Sequence, residues 1–137
     1  MKCRLIFFIS CFGLLMGIAS IAGIIRMEQE GRAWLVIALV SAAWIALQAP
    51  DKPFAHGFVA GLIAGAVAPL IQASFFPTYL AHDPVAAASF RQLPAGASPR
   101  LLMLMLAPMV GLFSGLTLGL LAWAARKALR RHVPAGA

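Results

Sequence analysis

The chain has 137 residues, 62% of them apolar and 11% charged, with a mean hydropathy of +0.91. That balance excludes a water-soluble fold and an intrinsically disordered chain, and a count of two cysteines excludes a disulfide-knit one. A formal charge of +7 would suggest nucleic acid as the partner of a soluble domain. Here the basic residues gather in the termini and short connections, where they set membrane topology, so no nucleic-acid partner is expected.

The sequence predicts an all-α membrane protein, a single polytopic domain over 1–137 with four transmembrane helices. The first apolar segment, 5–25, follows a basic start at Lys2 and Arg4 and is read as a retained helix, because its apolar run continues past the small residues that could mark signal-peptide cleavage. It carries Gly13 and Gly17, four apart, while Cys3 and Cys11 lack metal-type spacing and read as buried or interfacial thiols. After a tight turn over 26–32 comes 33–49, with a stripe of Trp34, Ala38, Ser41, Ile45 and Gln48 on one face.

A second turn, 50–53, leads to 54–76, which contains Gly57, Gly61, Gly65, Pro69 and Gln72. Residues 77–100 form the long outer connection, in which Asp83 and Pro84 predict the cap and first position of a short interfacial helix over 85–93. The last segment, 101–125, contains Pro108, Gly111, Gly115 and Gly119, and the basic tail 126–137 extends its helix into the head-group layer, with anionic lipid as partner. At about 1.5 Å per residue, only 33–49 falls slightly short of a hydrocarbon core roughly 30 Å thick.

Glycines four apart share a helix face and let backbones meet, which matters where lipid supplies no hydrophobic drive between helices. These glycine zippers are expected to pack neighbouring antiparallel helices; lining a pore is the alternative. Pro69 and Pro108 both lie outward of their segment midpoints, and each removes an amide and frees the carbonyl four residues before it, that of Gly65 and that of Leu104. Gln72 shares the glycine face of its helix, so the sequence places a small polar site at Gln72, the freed carbonyls and Ser74. His56, His82 and His132 are too far apart to share a metal or haem, and no serine, cysteine or carboxylate has a catalytic partner at similar depth. No enzyme, cofactor or metal site is expected.

With the amino terminus inside, seven basic residues face the cytoplasm and four, Arg26, Arg32, Arg91 and Arg100, face out, so both termini are expected inside. Size and an Ala-rich composition suggest the cytoplasmic (inner) membrane of a prokaryote. In helix count the chain resembles the small multidrug exporters. Those depend on a glutamate in the first helix, and 5–25 has no acidic residue, so the likeness carries nothing further. The expected role is a structural or accessory subunit, packed in a homo-oligomer or a larger membrane complex. A small oligomeric channel or permease for a neutral or weakly polar solute is the alternative.

Overall fold

The structure is a computed structural model and describes residues 2–132. It is all-helical, with six helices among the described residues: α1 (Cys3–Ile21), α2 (Met27–Gln48), α3 (Pro53–Ser74), α4 (Phe76–His82), α5 (Pro84–Arg91) and α6 (Pro99–His132). Four of them, α1, α2, α3 and α6, are long and apolar enough to cross a membrane, which supports a multi-pass membrane protein.

Several boundaries differ from the sequence reading. Helix α1 stops at Ile21, because Gly23 takes a left-handed conformation (φ 72°) and the amides of Gly23 and Ile24 turn back onto the carbonyls of Ser20 and Ala19. A side chain at Gly23 would also meet the Cβ of His82, 2.9 Å away. Helix α2 starts at Met27, so most of the expected 26–32 turn is helix, and Glu28, Glu30 and Arg32 lie inside a spanning helix rather than in a connection. A charged residue is not by itself the mark of a boundary. Acidic residues in a first turn instead favour helix, because they meet the positive end of the dipole.

The third connection holds two short helices where one was expected. Phe76–His82 forms α4, and α5 starts one residue ahead of the expected 85–93 and ends at Arg91. Helix α6 runs on through the basic cluster to His132; the last five residues of the expected tail lie outside the described range. Lys127 there stacks over Trp123, 5.1 Å from the ring centroid.

Helix α3 is the centre of the packing. Its Gly57, Gly61 and Gly65 meet α6 so closely that a Cβ on Gly61 would lie 2.6 Å from the Ser114 carbonyl, and one on Gly115 would lie 2.7 Å from that of Phe58. The pairing of Gly57 with Gly119, Gly61 with Gly115 and Gly65 with Val110 makes the two helices antiparallel. The other side of α3 receives α1: Gly13 abuts the Ala64 backbone, and a Cβ on Gly17 would lie 2.9 Å from Ile71. All four long helices converge near the chain termini in a core that includes Ile6, Ile9, Ile45, Ala60, Leu118 and Ala122. At the opposite end Ala73, Tyr79, Ala86 and Met103 form a smaller one under α4 and α5.

Gly61→Leu and Gly115→Leu are each expected to lower the melting temperature in detergent, at a cost of about 1–3 kcal/mol from overpacking. Gly31→Ala is the control, because a Cβ there meets nothing within 4 Å; melting should hold or rise.

Candidate functional site

At the end of the bundle away from the termini, the chain gathers polar side chains from four elements. The turn after α1 sets Ser20, on the last helical turn, facing the start of α2. Glu30 lies in the first turn of α2, and its Oε1 accepts from the Ser20 hydroxyl (2.6 Å) and from the Gln72 amide of α3 (2.7 Å). Ser20 is fully buried and Gln72 is 6% exposed, so one carboxylate oxygen joins three helices where water is largely excluded. Such charge-assisted bonds are roughly twice as strong as neutral ones.

Asp83 lies beside this group. Its Oδ1 accepts from the amides of Val85 (3.1 Å) and Ala86 (3.0 Å), the expected cap of α5. Its Oδ2 accepts from the Met27 amide (2.6 Å), which makes the same carboxylate a cap for α2 as well. Asp83 is 0% exposed, and the positive ends of two helix dipoles meet its charge. Tyr79 of α4 is buried against the pair, and burial, with the charges of Glu30 and Asp83, pushes its phenol above its ordinary pKa.

Gln72 therefore faces protein, but its amide is given to Glu30 and not to a carbonyl freed by proline. Ser74 donates to the Leu70 carbonyl of its own helix (2.7 Å), apart from the cluster. Pro69 and Pro108 lie inside unbroken α3 and α6. The sequence reading missed Glu30 because it placed that residue in a turn, and so counted no ionisable group within a span; two acids in the first turns of α2 were the available cue.

The histidines are dispersed. At the end near the termini, buried His56 accepts the Lys2 amide at Nε2 (2.8 Å) and meets the Lys52 carbonyl through Nδ1 (2.7 Å), so its ring tethers the start of the chain to α3. His82 contacts the Thr78 carbonyl, and among the described residues no three His, Cys, Asp or Glu side chains gather as metal ligands would.

Between the polar cluster and the core near the termini, a cavity of about 400 Å³ separates α2 from α3 and α6. Trp34, Ala38 and Ser41 of α2, Gly61 of α3, and Phe113 and Thr117 of α6 are among its lining. The inward face of α2 is fully buried at Ser41 and Ile45 but only half-buried at Trp34 and Ala38, so the helix stands off from the bundle over its first half, next to the polar cluster. No protein-family model matches the chain, and neither the curated proteins nor the solved structures contain a match.

Gln72→Leu should reduce stability by about 0.6–2 kcal/mol. Combined with Glu30→Gln, the two losses should fall short of additivity by about 0.5–3 kcal/mol in a double-mutant cycle of detergent melting, since they share one bond. Asp83→Ala strips a cap from two helices and should cost about 1–4 kcal/mol, twice the range for one cap.

Proposed function

We propose that the protein is a non-enzymatic structural or accessory subunit of the cytoplasmic membrane of a prokaryote, with both termini in the cytoplasm, built on the glycine-zipper seam between α3 and α6. The observation that carries this reading is how the small-residue faces are used. Gly57, Gly65, Gly111, Gly115 and Gly119 are taken up by close contact between α3 and α6, and Gly61, although it borders the cavity behind α2, meets the Ser114 and Gly115 backbone in the same way. The outward faces carry large apolar side chains, among them Leu35, Val36, Leu39 and Val40 on α2 and Leu112, Phe113, Leu116 and Leu120 on α6, suited to lipid or to the helices of a second copy or larger complex. Lys127, Arg130 and Arg131 are exposed at the end of α6, where anionic head groups would meet them. A second reading, an oligomeric permease for a neutral or weakly polar solute, draws on the cavity behind α2, where Ser114 and Thr117 are among the lining.

Proteoliposomes containing the purified chain are expected to pass glycerol and urea no faster than empty ones, and purification in mild detergent is expected to retain a membrane partner or a second copy at fixed stoichiometry. Protein-dependent flux would favour the permease. In a background with Cys3 and Cys11 replaced by serine, a cysteine at Ser98 should be labelled by an impermeant maleimide from outside and one at Ala135 only after the membrane is opened. Labelling of both from the same side of the sealed membrane would overturn the topology.

A further inference from the structure

At the end near the termini, α1 and α2 pack sparsely and leave a groove of about 520 Å³ between them. Its walls are layered by depth. Lys2, Arg4 and Gln48 form the rim, while Phe8 and Trp44 lie four residues, about 6 Å, further in along their helices. A neighbouring groove of about 440 Å³ shares Arg4 and Phe8 with the first. Phe8 is 57% exposed and Trp44 38%, so the grooves open on the side that faces the bilayer.

The charge at this rim is one-sided. Lys52 and the four cations of residues 126–131 stand at the same end of the bundle, and of the chain's four acidic residues only Asp51 is there. The rim is also fixed in place: the Lys2 amide is bonded to Nε2 of His56, which is 4% exposed, so the start of the chain is tied to α3. A cationic rim over an aromatic floor matches one kind of molecule, an anionic head group with acyl chains beneath it. A zwitterionic lipid offers the same phosphate, but its ammonium would enter a field of like charge. We propose that the grooves beside Arg4 hold an anionic glycerophospholipid, its phosphate on Lys2 and Arg4, its glycerol oxygens at the Gln48 amide, and an acyl chain along Phe8 and Trp44. The site is separate from the basic end of α6 and does not depend on whether the chain serves as a subunit or a permease.

Trp44 reports on the groove itself. With Trp34→Phe and Trp123→Phe, the full chain is placed in phosphatidylcholine vesicles containing increasing amounts of dibrominated phosphatidylglycerol or dibrominated phosphatidylcholine, and quenching of Trp44 is followed. Phosphatidylglycerol is expected to bind about 5- to 25-fold more tightly, at about 5-fold for each of the two cations. Arg4→Gln and Lys2→Gln should each lower that preference about 5-fold and Arg4→Lys should keep it. Arg130→Gln with Arg131→Gln should leave it unchanged, and all variants should melt alike in detergent. Equal quenching by the two lipids, or a preference that survives Arg4→Gln with Lys2→Gln, would overturn the site. So would a preference lost with the α6 substitutions, which would assign the lipid to that helix. Reversal of the quenching by millimolar glycerol phosphate would make the ligand a soluble phosphate and overturn the lipid as occupant.

Discussion

A half-buried carboxylate in the first turn of α2 joins three helices through one oxygen. Removing the charge of Glu30 from water is costly, and the structure offsets that cost in three ways: the start of α2 presents its dipole, Ser20 gives a hydroxyl, and Gln72 gives an amide. Because the donors come from α1 and α3, the cost is met only while three helices keep their relative positions. The charge thus acts as a geometric constraint, more than as a source of net stability. It holds the first turn of a helix whose direct packing on α1 and α3 is sparse.

The rest of the architecture follows from that constraint together with the glycine seam. Without a hydrophobic drive between helices in lipid, α3 and α6 must gain from close backbone approach, and their glycines permit it. This pair, with α1 on the far side of α3, forms the rigid part. Helix α2 is held by Glu30 and Asp83 at one end and is packed over its second half, where Ser41, Ala42, Ile45 and Ala46 are buried. Its first half is less closely packed, and the cavity lies there, beside Trp34 and Ala38.

The parts of this arrangement written as patterns in one helix were legible in the sequence. Apolar length gave the four spanning helices, the Asp83-Pro84 pair gave the start of α5, and spacing placed Gln72 on the inward side of α3. What could not be read were pairings between helices. Nothing local to Gln72 names Glu30 as its partner, and nothing local to Asp83 reveals that its second oxygen caps α2, 56 positions away in the chain. The start of α2 was misplaced for a related reason: a charged residue looks like a boundary until the groups that neutralise it are seen. The stripe from Trp34 to Ile45 predicted the inward face of α2, but not that its first half would stand away from the bundle.

The central claim, that Glu30 holds the first turn of α2 against α1 and α3, is tested most directly by pulsed EPR distances in nanodiscs. One spin-label pair, at exposed Arg32 and Phe75, reports on the end with the polar cluster; a second, at exposed Leu47 and Trp123, reports on the end near the termini. With Glu30→Leu, the first distance distribution should broaden and shift while the second remains narrow. A first distribution unchanged by that substitution would contradict the claim, because packing alone would then be holding α2 in place.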